Sequence, residues 1–390
     1  MNGSNRAPDD RPVVFMATTQ QPYHPRHYHL MAVGLHRAGV PARMVAQPDH
    51  AEHPPGPVPV VFVEVSPGRL ARFLSAPRVI RAALALRPRV VHVTSLDLLP
   101  WAVLLRTFAR VPVLYDSNED YPADILLKEW LPRPARTVLS RVVGRVEPWC
   151  AARLDAVTLA DEGTAANFAG IGTPLIVIYN FPWLEMLGGA DADDVEPEFD
   201  VSYHGSLPQL YLDPLLATAR ILHDRGVPAR WCLVARDYRD EERSALEERI
   251  RRAGLLDRMT LRYNQPFTEM PGLLRASRLG FIPLPDRPKF HRNLPRKLFE
   301  YLAAGRPAVV SDLPPIRRLV GDAGCCVLVR PGDPVESADA LQELLTAPNR
   351  AREMGERGRR LVADRLNAER EVGPYVDLVR RLGAGVRNGG

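Results

Sequence analysis

The chain has 390 residues, 46% of them hydrophobic and 25% charged, which is typical of a globular protein with two domains. Its net charge of +5 favours anionic ligands such as nucleotides or a membrane surface. This charge is too small and too evenly spread to indicate nucleic-acid binding. The cysteines show no paired spacing, and no apolar run has the length of a secretion signal or a membrane span. We therefore expect a cytoplasmic protein without disulfides or a metal site.

Short apolar segments alternate with helical segments along the first half of the chain. A long polar loop at 18–27 separates the first strand from a helix at 30–37. Strands are predicted at 13–17, 58–65, 90–93, 111–115, 156–159 and 175–178. This alternation predicts an α/β fold with a doubly wound parallel sheet.

A glycine pair and an acidic run interrupt the alternation at 183–199 and predict a linker. The alternation then resumes, with strands predicted at 200–204, 230–234, 259–263, 279–282, 308–311 and 325–329. We predict one Rossmann-like domain over 12–182, a second over 200–366, and a C-terminal helix over 367–385. The candidate binding motifs follow strands, and the carboxyl ends of parallel strands are where such folds bind ligands.

The segment 294–310 carries the most specific chemical signal. Arg296 and Lys297 open a short helix that Gly305 ends. A helix start presents free N–H groups and the positive end of the helix dipole, so it attracts phosphate, and two basic side chains strengthen that attraction. Glu300 lies one turn further on and can accept hydrogen bonds from sugar hydroxyls. Lys297 is also one of only three lysines in the chain.

This segment resembles the donor site of retaining GT-B-fold glycosyltransferases of family 4 (glycosyltransferase group 1), with its signature Pro-x-Lys-Leu-x-Glu-Tyr-x-Ala-x-Gly-x-Pro. The resemblance implies two Rossmann-like domains facing each other across a cleft, and a last helix that crosses back to the first domain. It implies a nucleotide sugar as co-substrate, and no cofactor or metal. It also assigns Leu298 to donor binding and Glu300 to the donor hydroxyls, as a catalytic residue.

A loop after the strand at 200–204 resembles the family's Gly-Arg/Ser-Leu loop beside the donor diphosphate. Gly205 lets the backbone approach a ligand closely, and Ser206 follows it. Many relatives have an arginine and a lysine where this chain has Ser206 and Tyr211. The alternative is an ordinary turn between a strand and a helix.

Two further positions belong to the predicted donor site. Arg292 occupies the place of a glutamate in many relatives, and we expect it to share the diphosphate charge with Arg296 and Lys297. Tyr263 ends a strand where relatives hold the nucleobase. An ordinary loop is the alternative at Tyr263.

On the acceptor side, a motif follows the strand at 111–115. Asp116, Asn118 and Glu119 resemble the family's Asp-x-His-Glu motif, with Asn118 in place of histidine. Asparagine can hydrogen-bond a hydroxyl group but cannot take up a proton near neutral pH. The family is thought to transfer on one face, with the departing phosphate deprotonating the acceptor. The resemblance therefore assigns Asn118 to catalysis, and Asp116 and Glu119 to acceptor binding.

The first polar loop supplies the remaining acceptor candidates. His24, Arg26 and His27 lie in a segment dense in polar and aromatic residues, after the first strand. Loops at strand ends carry function disproportionately, so we predict that these three residues bind the acceptor. The alternative is a solvated loop.

A helix at about 133–153 combines two kinds of side chain. Its arginines are Arg133, Arg136, Arg141, Arg145 and Arg153, and its apolar residues include Val138, Leu139, Val142, Val146 and Trp149. We expect the apolar residues to face the core and the arginines to face water. Contact with an anionic membrane, as some relatives make, is the alternative.

These observations predict a bacterial hexosyltransferase (EC 2.4) that moves a sugar, most often from UDP, to an acceptor hydroxyl without a metal. The acceptor can be a glycan, a natural product or a lipid-linked sugar, and the oligomeric state stays open. One rival function is that of a UDP-sugar 2-epimerase. The other is a non-catalytic homologue that acts as a partner subunit, which the changes at Ser206, Arg292 and Asn118 keep open.

Overall fold

The computed structural model describes residues 10–19, 21–48, 56–66, 68–128, 130–187, 196–236 and 240–385. The chain divides into two compact units. The first consists of residues 1–180 and 371–390, and the second of residues 181–370. Each unit contains a parallel sheet with helices, so the predicted α/β fold with two Rossmann-like domains is confirmed.

The sheet of the first unit has seven parallel strands in the order β3-β2-β1-β4-β5-β6-β7. The strands are β1 (Val13–Met16), β2 (Ala42–Ala46), β3 (Val60–Phe62), β4 (Val90–Val93), β5 (Val113–Ser117), β6 (Ala156–Leu159) and β7 (Leu175–Val177). The central strands are buried along their whole length, because a parallel sheet is covered on both faces. The strand β2 was not predicted, because Arg43 interrupts its apolar run.

The first helix of this unit begins at Pro25, earlier than the predicted start at Leu30. The helices of the unit are a π-helix (Pro25–Ala32) that runs into α1 (Val33–Arg37), then α2 (Arg69–Ala85), α3 (Leu99–Ala109), α4 (Tyr121–Leu126) and α5 (Arg133–Ala151). The prediction of a loop up to His27 is wrong. Pro25 starts the helix, and the side chain of His24 accepts a hydrogen bond from the Arg26 N–H. These are the groups that begin a helix.

The side of the helix α5 that faces the protein differs from the prediction. Its exposed residues include Val138, Val142, Val146 and Trp149, whereas the side facing the protein carries Glu147 together with small residues. The expectation that its apolar residues face the core is therefore wrong. The buried residues of α5 are Glu147, Cys150 and Ala151, so a hydrogen-bonded carboxylate and small side chains hold the helix to the unit.

The sheet of the second unit has six parallel strands in the order β10-β9-β8-β11-β12-β13. The strands are β8 (Phe199–Gly205), β9 (Trp231–Ala235), β10 (Met259–Tyr263), β11 (Ser277–Ile282), β12 (Ala308–Ser311) and β13 (Cys326–Val329). The strand order reverses between β8 and β11, and the loops beyond this point are where open parallel sheets bind ligands.

Seven further helices of the described chain flank this second sheet. They are α6 (Gln209–Asp224), α7 (Asp240–Arg252), α8 (Met270–Arg275), α9 (Arg296–Ala303), α10 (Pro314–Val320), α11 (Pro334–Thr346) and α12 (Pro348–Asp364). The predicted start of α9 at Arg296 is confirmed. Gly305, with a φ of +67°, follows its end, and this left-handed conformation is one that glycine adopts without strain.

The chain returns to the first unit through its last helix, α13 (Ala368–Gly385). The Tyr375 hydroxyl lies 2.8 Å from Nδ1 of the buried His92. Gly34 leaves room for Val372, because a Cβ at Gly34 would lie 2.6 Å from that side chain. No helix in the described ranges is long and apolar enough to cross a membrane.

The predicted linker at 183–199 falls partly outside the described residues, which omit 188–195. Its flanks belong to the second unit. A short 3-10 helix (Leu184–Leu187) stands before the undescribed part, and β8 begins at Phe199 after it.

Candidate active site

The first turn of α9 places the Lys297 amine in a confined position. Its Nζ lies 3.9 Å from the ring centroid of Tyr203 and 5.7 Å from that of Tyr211. Gly205 adopts a φ of +114°, and a Cβ there would lie 3.2 Å from Nζ. The backbone conformation therefore favours glycine at this position, and the absence of a side chain lets the amine approach closely.

Positive charge is concentrated around this amine. Burial, followed by the charge of Arg236, lowers the pKa of Lys297 to about 7, against an ordinary value of 10.5. Burial also lowers the pKa of Arg296 to about 10, although Glu300 opposes the shift. A cation whose pKa falls this far lies where its charge is poorly compensated, so the site favours an anion.

Arg236 also belongs to this cluster, although it was not predicted from the sequence. It directly follows β9, and its N–H donates to the Gly205 carbonyl oxygen at 3.2 Å. Its positive charge also contributes to lowering the pKa of His204. The sequence offered one signal for this role, namely a basic residue directly after the strand that pairs with β8. No local motif marks that residue.

Glu300 is the only acidic side chain that the described residues bring to the positive cluster. One carboxylate oxygen lies 2.8 Å from Nε of Arg296 and the other 3.4 Å from Nε2 of His204. Neither contact has the angles of a hydrogen bond, so both buried oxygens keep acceptor capacity within the described part of the chain. Burial, followed by the charges of Lys297 and Arg296, holds the pKa of His204 well below its usual range. The histidine is therefore neutral and leaves the excess positive charge in place.

The other predicted donor residues are placed differently. Ser206 is exposed, and its carbonyl oxygen accepts a hydrogen bond from Tyr203. Arg292 is exposed in the turns before α9. Leu298 is fully buried in the core of the unit. The Tyr263 hydroxyl donates to Glu247 on α7 at 3.2 Å.

In the first unit, the structure joins three predicted acceptor residues into one buried group. The Asp116 carboxylate accepts two hydrogen bonds from Arg26, each 2.8 Å long, and lies 2.8 Å from Nε2 of His27. Burial raises the pKa of Asp116, but the charge of Arg26 and these hydrogen bonds hold it well below its usual range. Because all three side chains are buried, their geometry favours supporting the site over touching an acceptor.

The remaining acceptor candidates keep partial exposure. Asn118 and Glu119 follow β5, and His24 stacks on His27 with ring centroids 4.6 Å apart. The Tyr121 hydroxyl donates to the side-chain oxygen of Asn118 at 2.7 Å and so fixes the orientation of the amide.

Beneath this motif lies Glu147, a buried carboxylate of α5 that sequence analysis did not single out. It accepts hydrogen bonds from Tyr115 at 2.9 Å and from Ser117 at 2.8 Å, the two residues that flank Asp116. Burial raises the pKa of Glu147 to about 7. It therefore supports the strand end that carries Asn118.

The described residues contain no group of three His, Cys, Asp or Glu side chains arranged to hold a metal ion. Metal-independent action remains a prediction, because its test is biochemical.

Two families match the sequence. One, described as glycosyl transferases group 1, matches residues 198–347. The other, described as a glycosyl transferase 4-like domain, matches residues 25–180. The curated proteins contain no sequence match to the chain.

Several solved structures share the fold over nearly the whole chain. Sucrose-phosphate synthase from Thermosynechococcus elongatus is 18% identical, with a TM-score of 0.76, and the match covers 96% of this chain and 100% of that one. Anabaena HepE, in complex with UDP and glucose, is 17% identical with a TM-score of 0.72, covering 95% and 99%. A UDP-forming α,α-trehalose-phosphate synthase from Burkholderia xenovorans is 13% identical with a TM-score of 0.66, covering 96% and 99%.

Proposed function

The chain belongs to the group 1 glycosyltransferases of the GT-B fold, and from this premise we propose that it transfers a sugar from a nucleoside diphosphate to an acceptor hydroxyl. The proposed donor is a UDP-sugar. The proposed transfer retains the configuration of the sugar and uses no metal.

One observation carries the donor part of this proposal, namely that Arg296 and Lys297 share one carboxylate while Arg236 adds a third positive charge. The charge of Arg236 lowers the pKa of both Arg296 and Lys297, and Glu300 is the acidic side chain of the described chain that opposes both shifts. A diphosphate would restore the charge balance, and these cations would then stabilise the charge that develops on the leaving group. HepE, which shares this fold, was solved with UDP and with UDP-glucose, and this supports UDP as the nucleotide.

The acceptor side then serves to position the hydroxyl that attacks. Asn118 can hydrogen-bond this hydroxyl, while Arg26, His27 and Asp116 hold the adjoining backbone in place. The departing phosphate takes up the proton of the acceptor, so that the step needs no protein base. Catalysis in this proposal comes from positioning and from charge neutralisation.

A thermal-shift titration with UDP, GDP, dTDP and ADP, each with and without EDTA, tests the donor and the metal. A nucleotide at a hundredfold excess over its dissociation constant stabilises the native state by about 2.7 kcal/mol. We expect a shift with UDP that EDTA leaves unchanged. No shift with any of the four would overturn the donor assignment, and a shift that EDTA abolishes would overturn metal independence.

Turnover of the Lys297→Ala variant tests the assigned role of the amine. We expect the release of UDP from a UDP-sugar to fall about tenfold or more, because one lost charge contact in the transition state costs over ~1.4 kcal/mol. Lys128→Ala is the matched control, since Lys128 pairs with Asp124 in the first unit. Near-normal turnover of Lys297→Ala would contradict the role.

A further inference from the structure

A cavity lies at the end of α9 opposite to the one that carries Lys297. It has a volume of about 250 Å³ and is lined by the turn 304–307, which follows α9, and by one side of α12. The lining also includes Arg278, the second residue of β11, whereas Gly205 is the last residue of β8. Because the strands of this sheet are parallel, the cavity and the predicted diphosphate site lie at opposite edges of the sheet.

Positive side chains dominate the lining of this cavity, which we call the α12 cavity. Four arginines line it against one acidic side chain, and these residues are Arg278, Arg306, Arg352, Arg359 and Glu356. Like charges around one cavity repel one another, and an anion between them offsets the repulsion. A guanidinium presents five N–H donors in a planar fork that matches phosphate, so an arginine that bonds a carbonyl oxygen can still bind a phosphate group.

Two of these arginines are held in place by the second unit. Arg278 donates to the Asp200 carboxylate at 3.3 Å and to the Leu345 carbonyl oxygen at 3.0 Å. Arg306 donates to the Arg275 carbonyl oxygen at 2.8 Å. Asp200 offsets the charge of Arg278, whereas a carbonyl oxygen orients a guanidinium without cancelling its charge. The wall of the cavity is therefore both ordered and positive.

The α12 side of the cavity carries Arg352, Glu356 and Arg359, which share one face of the helix because they are four and three residues apart. Arg352 is exposed, and its hydrogen bond to the side-chain oxygen of Asn349 is 3.4 Å long. Among the described residues, no carboxylate forms an ion pair with Arg352. A Cβ at Gly305 would lie 3.9 Å from Cδ of Arg359, so the stem of this arginine covers the turn that ends α9.

The volume of the α12 cavity limits what it can hold. Sites for drug-sized ligands occupy about 300–1,000 Å³, so a cavity of about 250 Å³ suits a small metabolite better than a nucleotide sugar. Arginines recognise phosphate through paired, charge-assisted hydrogen bonds. We propose that the α12 cavity is a second anion site, which binds the phosphate group of a small phosphate monoester independently of the donor site.

Titration calorimetry with ribose 5-phosphate, inorganic phosphate and ribose tests this proposal without relying on glycosyl transfer. The full chain is titrated in the presence of saturating UDP, and the Lys297→Ala variant is titrated without UDP, so that a failure of the proposed donor site would not conceal the result. We expect both phosphates to bind in both arms and ribose to bind in neither. Tighter binding of the ester would show that its sugar is also held, and equal affinities would limit recognition to the phosphate group.

Substitutions of opposite charge effect locate the binding on α12. Arg352→Gln should weaken the binding of ribose 5-phosphate about tenfold, because a charged hydrogen-bond donor is lost. Glu356→Gln should strengthen it about threefold, because the repulsion between this carboxylate and the phosphate is removed. Arg360→Gln and Glu353→Gln are the matched controls, since both residues are exposed on α12 and lie outside the cavity lining. Thermal unfolding like that of the wild type would show that the variants are folded.

The proposal is overturned if neither phosphate binds to the UDP-saturated chain or to Lys297→Ala. It is also overturned if saturating UDP and Lys297→Ala each abolish a binding seen with the free wild type, because the phosphate then occupies the donor site. Affinities of Arg352→Gln and Glu356→Gln that equal those of their controls would overturn it too, since the phosphate then binds elsewhere on the surface.

Discussion

Lys297 holds its proton only part of the time near neutral pH, because its pKa is lowered to about 7. The unfolded chain keeps this proton up to the ordinary pKa of 10.5. Between these two values the unfolded state binds more protons, so this residue makes the free energy of unfolding rise with pH across that window. Burial of this amine therefore lowers the free energy of unfolding at low pH, and the same burial places the amine where it can bind an anion.

Binding of UDP should therefore take up a proton. A diphosphate beside Lys297 raises its pKa again, so at pH 8 we expect an uptake close to one proton per UDP bound. Titration calorimetry in buffers of different ionisation enthalpy measures this quantity.

Two substitutions complete this experiment. Lys297→Met should abolish the uptake, and Lys128→Met, on the first unit, should leave it unchanged. Uptake that persists in Lys297→Met would assign the proton to another group.

Glu147 responds to pH in the opposite sense. Its pKa is raised from an ordinary 4.5 to about 7, so the stability that its neutral form contributes is present below pH 4.5 and is lost as the pH rises through 7. Glu147→Gln keeps an oxygen acceptor for Tyr115 and Ser117 but cannot ionise.

Between pH 4.5 and 8, ionisation of Glu147 should lower the free energy of unfolding of the wild type by on the order of 3 kcal/mol. We expect Glu147→Gln to remove this loss. Urea unfolding at several pH values measures it, with Glu353→Gln, an exposed residue of α12, as the control. Parallel pH profiles for the wild type and Glu147→Gln would mean that Glu147 does not titrate in this range.

At the scale of elements, the close approach of α9 to β11 sets the position of the donor helix. Gly280 lies directly beneath the ring of Tyr301, and a Cβ there would lie 2.6 Å from ring atoms. The Tyr301 hydroxyl donates to the Ser202 carbonyl oxygen on β8 at 2.8 Å. The position of α9 thus depends on the absence of a side chain at Gly280 and on the buried hydrogen bond between Tyr301 and Ser202.

Gly280→Ala should displace α9 and lower the free energy of unfolding by about 1–3 kcal/mol. The affinity for UDP should fall as well, because Lys297 moves with the helix. Gly272→Ala in α8 is the matched control, since a Cβ there meets no atom within 4 Å. Thermal unfolding and UDP titration of both variants measure the effect, and equal behaviour would contradict the close contact.

At the scale of the whole molecule, the first unit is built from two distant stretches of chain. The last helix, α13, supplies Tyr375 to His92 and Val372 to Gly34. The pKa of His92 is lowered to about 3 by burial, so the histidine remains neutral and the hydrogen bond survives over the working pH range. The fold of the first unit therefore depends on residues of α13, which are separated from the rest of that unit in the sequence by the whole second unit.

Removal of residues 371–390 should destabilise the first unit selectively. We expect faster amide hydrogen exchange in β1 and β4, and unchanged exchange in β8 and β9 of the second unit. Tyr375→Phe, which keeps the packing, should cost about 1 kcal/mol. Uniform loss of protection in both units would contradict this division of the chain.

Local patterns in the sequence determined the alternation that gives two parallel sheets, the start of α9 at Arg296 and the positive charge at its first turn. These features depend on neighbours along the chain, because strand patterning and helix starts are properties of short segments. The resemblance to group 1 glycosyltransferases rested on the same segment and is confirmed.

Only the tertiary structure decided which distant groups meet. It joined Arg236 to Lys297, buried Arg26 and Asp116 against each other, and turned the apolar side of α5 outward. Periodicity defines an apolar stripe but not the direction it faces, since in α5 that direction follows from the bonds of Glu147 to Tyr115 and Ser117, which are distant in the sequence. Likewise, a pKa follows from burial and from neighbouring charges, and both are fixed only when the strands take their places in the sheet.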